Sequence, residues 1–142
     1  MAHKPFHGAI PDDRFYDPRY DMWVQQDGNE VLIGITTFGA FLAGEIIAFT
    51  SKPKGAEVDY GRGLGTVESA KTVLAVHAPI AFNLIEINEA LEERAAPINR
   101  DPHLAWLVRG QPWDWANDRG RLVDAAAYRT HVLSVDPEAS FA

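Results

Sequence analysis

Apolar and polar residues along most of this chain alternate in short runs, the periodicity of strands rather than helices. Residues 22–26 form one such run, Asp27, Gly28 and Asn29 supply a tight turn, and residues 31–35 form the next. Residues 37–43 place Phe38, Phe41 and Leu42 at helical spacing and stop at Gly44, which predicts one or two helical turns. Residues 45–50 and 57–60 read as strands around a loop at 51–55, and residues 61–65 as a glycine-rich turn. Two β-prone runs, 66–69 and 72–76, then flank a junction made of Ala70 and Lys71. Neither residue takes a positive φ cheaply, so a type I turn fits better than a primed one. After a turn at Ala78-Pro79, residues 83–87 alternate again, and Pro97, Pro102 and Pro112 punctuate loops around Trp106, Leu107 and Val108. Asp118 is expected to cap a helix near 121–133, with Leu122, Ala125, Ala126, Arg129 and Val132 on one face. Residues 1–20, without periodicity, read as an irregular arm pinned by Phe15, Tyr16 and Tyr20. The pattern predicts a mainly β fold, a small barrel or sandwich, with a short helix and a C-terminal helix. The expected divisions are an arm (1–20), a β domain (21–110), and a loop with a helix packed on the barrel (111–142).

Size and charge narrow the function. A chain of 142 residues suits one domain with a real core. Its formal net charge of −7 opposes phosphate backbones, so nucleic acid is not an expected partner. Cysteine is absent, which excludes disulfides, iron–sulfur ligation and a cysteine nucleophile. No apolar run follows the charged N-terminus, and the longest apolar stretch, near 40–49, is too short to span a bilayer. The expectation is a cytoplasmic protein with no membrane partner.

Several motifs resemble sites but have plainer readings. The glycines at 61, 63 and 65 precede a β-run, whereas a phosphate loop needs a helix N-terminus directly behind it. Among His3, His7, His77, His103 and His131, only His3 and His7 have helical metal spacing, and Pro5 lies between them. Ser69 lies in no nucleophile elbow. Asp12, Asp13 and Asp17 read as solvated acids of the arm. Trp113 and Trp115 read as cover for one side of the barrel beneath the C-terminal helix, the alternative being a patch that faces a partner.

Lys71 stands apart from the other three lysines. Lys4 lies in the arm, and Lys52 and Lys54 lie in a loop, whereas Lys71 sits at the tip of a predicted hairpin. Such a hairpin presents one amine rigidly to another protein, as a modifying enzyme requires. An exposed hairpin lysine is by itself ordinary, and its surroundings raise its interest.

From about Tyr20 to Val108 the chain resembles the glycine cleavage system H protein, a lipoyl carrier with a hammerhead barrel. The resemblance is carried by Trp23-Val24, Ile33-Gly34-Ile35-Thr36, Gly44-Glu45-Ile46, Gly55 and above all Val67-Glu68-Ser69-Ala70-Lys71. It continues through Ala78-Pro79, Glu86-Ile87-Asn88-Glu89-Ala90-Leu91, Ile98-Asn99, Asp101-Pro102 and Trp106-Leu107. It implies a lipoyl/biotinyl-type barrel-sandwich over 21–110, lipoic acid in amide linkage to Lys71, and no catalysis by the chain itself. It also implies a role for Glu68, Ser69 and Ala70 in ligase recognition and the turn. The implied partners are a lipoate-protein ligase or lipoyl transferase, and lipoamide dehydrogenase.

Departures from the family pattern bear on the cargo. Where H proteins usually read His-Glu-Trp, this chain has Asp21-Met22-Trp23, and four residues after the lysine it has Ala75 in place of an acid. Both family acids help to hold a cationic aminomethyl group, and their loss removes charge-assisted hydrogen bonds. Phe82 stands where H proteins place a glycine, adding bulk to a surrounding turn. The chain further resembles the H-like lipoate-binding protein of bacterial sulfur oxidation, in Thr37-Phe38-Gly39-Ala40, Phe49-Thr50-Ser51-Lys52, Thr66-Val67-Glu68-Ser69, Lys71-Thr72-Val73, Glu92-Glu93-Arg94 and Leu122-Val123-Asp124-Ala125. That resemblance implies a carrier of sulfur intermediates and reducing equivalents, working with a heterodisulfide-reductase-like complex. The alternatives are a glycine-cleavage carrier of aminomethyl groups and an unmodified β-barrel binding module. A biotinyl carrier expects methionines beside the lysine, where this chain has Ala70 and Thr72.

Overall fold

The computed structural model describes residues 4–142. In chain order its elements are β1 (His7–Gly8), β2 (Phe15–Asp17), β3 (Met22–Asp27), β4 (Glu30–Ile35), α1 (Thr37–Ala43), β5 (Ile46–Ser51), β6 (Glu57–Val58), β7 (Gly63–Ser69) and β8 (Val73–His77). They continue through β9 (Phe82–Ile87), α2 (Glu89–Glu93), α3 (Ala96–Arg100), β10 (Val108–Pro112), α4 (Trp115–Arg119), α5 (Ala125–Val135) and β11 (Ser140–Phe141). A six-stranded sheet has the order β2-β3-β4-β10-β9-β6, a three-stranded sheet the order β5-β7-β8, and β1 pairs with β11. The mainly β expectation holds, and two sheets enclosing a common core are consistent with a barrel-sandwich. No helix among the described residues is long and apolar enough to cross a membrane.

Strand periodicity explains how β3 serves two cores. Met22 and Val24 face the main core, with Ile33, Phe49, Val67 and Leu84, while Trp23 between them faces a second core with Tyr16, Phe38, Tyr128 and Val132. The sheet is therefore buried on both faces, one by the three-stranded sheet and one by α5, α1 and the N-terminal segment. Trp23 is 1% exposed and donates its indole N–H to the Pro102 carbonyl at 3.0 Å. Its register partner is Gly34, where a side chain would run into the indole ring.

Five local expectations need correction. The segment read as an irregular arm carries β1 and β2, with Phe6, Ile10 and Tyr16 buried, and Asp17 is 3% exposed rather than solvated. Asp118 does not cap the last helix. It lies inside α4, where its carboxylate accepts from Ala81 N and Arg121 Nη2, both at 2.8 Å, and the cap of α5 is Asp124, accepting from Ala127 N at 2.8 Å. The buried face of α5 is Ala125, Tyr128 and Val132, with Ala126 outside. The two tryptophans separate: Trp115 packs edge-on against Phe15, while Trp113 is half exposed and donates to Asn83 Oδ1. Neither lies beneath α5, which covers the Tyr16–Trp23 face instead. Phe82 belongs to β9 and is fully buried, so its bulk fills core and not a turn. His7 bonds Ser140 Oγ at 2.8 Å, and its supposed partner His3 lies outside the described residues.

His103 gives the fold a pH signature. Burial pushes its imidazole down to about 4 from the ordinary 6.5, and the nearby Arg14 guanidinium adds repulsion. Arg14 Nη1 donates to the His103 carbonyl at 2.6 Å. The folded protein keeps the ring neutral where the unfolded chain would bind a proton, so this contribution is complete above pH 6.5 and is lost as pH falls towards 4. Across that window the loss amounts to about 3 kcal/mol. Denaturant titrations above and within the window should show this slope in the parent and a flattened one in His103→Phe.

Candidate functional site

The hairpin of β7 and β8 projects Lys71 from the edge of the three-stranded sheet. Glu68 pairs with Val73 and Val67 with Leu74, leaving Ser69–Ala70–Lys71–Thr72 as the loop. Ser69 N donates to the Thr72 carbonyl at 2.9 Å and closes it, and the Ser69 hydroxyl oxygen lies 3.4 Å from both Lys71 N and Thr72 O. Ser69 is buried at the base, whereas Glu68, Ala70 and Lys71 are exposed. Neither Ala70 nor Lys71 has a positive φ, as their side chains demand. The fold thus brings all four sequence-predicted site residues to one tip, with distinct roles. Ser69 braces the turn, Ala70 leaves it uncrowded, Glu68 and Lys71 point outward. The turn expected at 61–65 is shorter, because β7 begins at Gly63.

Beside the hairpin lies an open cleft of about 180 Å³ between β8, α1 and the start of β3. Its walls include Met22, Leu42, Val67, Leu74 and Ala75, with Asp21 among the lining residues. Leu42 and Leu74 are 56% and 40% exposed, so this apolar surface is open to whatever approaches.

Sequence reading registered Asp21 only as a departure from a family pattern and missed what the fold does with it. Asp21 is the only non-glycine residue with positive φ (56°) among those described. Its carbonyl accepts from Thr36 N at 3.0 Å and Thr36 Oγ1 at 3.1 Å, and Gly39 of α1 packs so close to it that a side chain there would collide. Its Oδ1 accepts from the Tyr128 hydroxyl of α5 at 2.7 Å and lies 4.0 Å from His131 Nε2. Burial raises the Asp21 carboxyl above the usual carboxylate range, against the pull of the Tyr128 hydrogen bond and of His131. Tyr128 is itself pushed up, by burial and by the Asp21 charge. A signal did exist in the sequence: an acid flanked by Tyr20 and Met22 interrupts the apolar entry to a strand.

Comparison with known proteins assigns the family. The family model for the glycine cleavage H-protein matches residues 14–134. This chain belongs to that family. The H protein of Thermus thermophilus is 35% identical over 121 residues, 84% of this chain and 93% of that protein. That of Chlorobium limicola is 38% identical over 124 residues, 85% and 95% of the two chains. A probable glycine cleavage system H protein 3 of Sulfurisphaera tokodaii is 34% identical over 100 residues, 70% and 74% of the two. Among solved structures, the H protein of Mycobacterium marinum superposes with a TM-score of 0.76 at 30% identity, covering 85% of this chain and 97% of that one. Members of the family are non-catalytic carriers with lipoic acid attached covalently to a lysine, and the same holds for this chain. Lipoyl ligases and lipoamide dehydrogenase are partners of that family.

The site fits the group. An exposed amine at the tip of a braced hairpin suits amide formation, and an apolar cleft next to it suits a hydrocarbon arm.

Proposed function

We propose that the lipoyl group is attached at Lys71 and that this carrier shuttles sulfur intermediates and reducing equivalents between enzymes of cytoplasmic sulfur oxidation, a heterodisulfide-reductase-like complex among them. The observation that carries this reading is the cleft beside Lys71, where Leu42, Leu74 and Ala75 present apolar surface to the arm and the buried Met22 forms the floor. An uncharged cargo loses little on entering such a surface, whereas an ammonium cargo needs paired acids to offset desolvation. A chain without cysteine also has no thiol of its own to compete for a disulfide. When bound, the group would supply a dithiolane whose two-electron-reduced form, made by a partner reductase, offers two thiols for exchange with disulfide or sulfane sulfur. Ser69 and the paired strands hold the attachment point still, Glu68 faces the modifying enzyme, and Leu42 and Leu74 exclude water from the cleft.

A second reading, carriage of an aminomethyl group in glycine cleavage, is favoured by the names of the relatives and by the presence of an acid, Asp21, among the residues lining the cleft. One experiment separates the two. Peptide mass spectrometry of protein from its native host should place the lipoyl mass on Lys71 together with added sulfur. Incubation of the loaded protein with glycine and glycine decarboxylase should leave no aminomethyl adduct. An adduct formed as readily as on an H protein from Thermus thermophilus would establish the second reading.

A further inference from the structure

Basic side chains are the minority in this chain, 13 against 20 acidic ones, yet four arginines gather around one pair of rings. Tyr20 and Tyr60 meet edge to face, with centroids 5.9 Å apart. The Arg19 guanidinium lies 5.3 Å over the Tyr20 ring, and that of Arg121 lies 4.0 Å over Tyr60. Arg62 follows Tyr60 by two residues, in the turn before β7. Arg119 precedes Arg121 by two and lies 5.2 Å over Phe15. All four arginines are exposed. Of the four, Arg121 forms an ion pair among the described residues, with Asp118 at 2.8 Å, and the other three form none. Arginines elsewhere are more fully engaged: Arg14 is buried, and Arg109 and Arg129 are paired with acids.

The patch is preorganised. A guanidinium stacked on a ring keeps its N–H groups at its edge, free to meet a carboxylate. Holding three of them against rings lowers the side-chain entropy lost when a partner binds. The acids of this region leave the arginines uncancelled at the surface. Asp17 and Asp118 are 3% and 5% exposed, and Asp118 is taken up by Ala81 N and Arg121. Burial pushes the Asp17 carboxyl upward, towards its neutral form. Asp59 is exposed, with its carboxylate turned to Tyr60 N at 2.7 Å.

Arg62 immediately precedes Gly63, which pairs with His77 at the root of the lysine hairpin. Tyr20 stacks on that histidine, with centroids 4.7 Å apart. The patch therefore lies at the opposite end of β7 from Lys71, about 20 Å away at the rise of a strand.

We propose that this arginine–tyrosine patch docks a carboxylate-rich surface of a partner protein and leaves the Lys71 tip uncovered. A partner held at the root meets a group tethered at the tip at raised effective concentration, without obstructing the lysine. A local cluster of carboxylates fits better than a nucleic acid, because the rest of this acidic chain repels an extended polyanion. The docking is independent of the cargo that Lys71 carries.

The probe is a peptide of eight glutamates, titrated into the full chain at low salt and followed by amide NMR shifts. Shifts should concentrate at Arg19, Tyr60, Arg62 and Arg121, and affinity should fall as salt rises. Arg19→Gln with Arg62→Gln removes two exposed arginines that no carboxylate of the fold uses. That pair should weaken binding about tenfold while leaving the circular dichroism unchanged. Arg94→Gln with Arg100→Gln removes the same charge near α2 and α3 and should leave the affinity within about twofold of the parent. The inference is overturned if the peptide does not bind, if the first pair is lost without effect, or if the second pair matters as much. It is also overturned if a single-stranded oligonucleotide of equal charge binds more tightly, which would make the patch a phosphate site.

Discussion

Lys71→Arg will fold normally and will carry no lipoyl group. Arginine keeps the charge and roughly the reach of lysine, but its guanidinium stays protonated and offers no free amine for amide formation. Position 71 is exposed on a turn, so the substitution should move stability by no more than about 0.5 kcal/mol. Co-expression with a lipoate-protein ligase and lipoate should raise the intact mass of the parent by one lipoyl group and leave the variant unchanged. Turnover that depends on the carrier should vanish with it. If the variant still gained the mass, one of Lys4, Lys52 or Lys54 would be the attachment site, and the hairpin would lose its role.

The largest effect on stability is expected at Trp23. Its ring is almost completely buried, donates to the Pro102 carbonyl and lies 4.6 Å beneath the Arg14 guanidinium. Trp23→Ala should cost about 3–5 kcal/mol from lost burial and the cavity left behind. It also leaves Arg14 without its aromatic face, which adds to the loss. Gly34→Ala should cost about 1–3 kcal/mol, because the new methyl meets the buried indole and not a movable chain end. Urea titrations of both single variants and the pair measure these values. The double variant should be more stable than the sum predicts, since removing the indole makes room for the methyl. Additive costs would show that Gly34 does not exist to accommodate Trp23.

Much of the strand order near the hairpin was legible because its signals are local. Period-two alternation marks β3, β4, β7 and β8, the Asp27-Gly28-Asn29 turn joins the first pair, and Thr37 to Gly44 reads as a capped helix. The elements that were missed depend on context. Pro97 suggested a loop, yet it stands in the first turn of α3, where a helix tolerates proline. Asp118 and Asp124 both precede apolar runs and look alike as caps. Only the fold sends Asp118 to the buried amide of Ala81 and leaves Asp124 to α5. The segment before residue 20 has no periodicity, and its order comes from packing of Phe6, Ile10 and Tyr16 against α1 and α5.

For the site, the chain alone determined the tip. Glu68, Ser69, Ala70 and Lys71 are contiguous, so a hairpin is enough to hold them together, and turn sterics exclude a primed turn. The wall facing that tip was decided only by tertiary structure. Asp21, Leu42 and Ala75 are 21 to 54 positions apart along the sequence, and Tyr128 is 107 residues from Asp21. No local periodicity encodes such a meeting. It exists because the six-stranded sheet is buried on both faces, so that contacts from α1 and α5 fix the residue just before β3 while β8 closes the cleft from the other sheet.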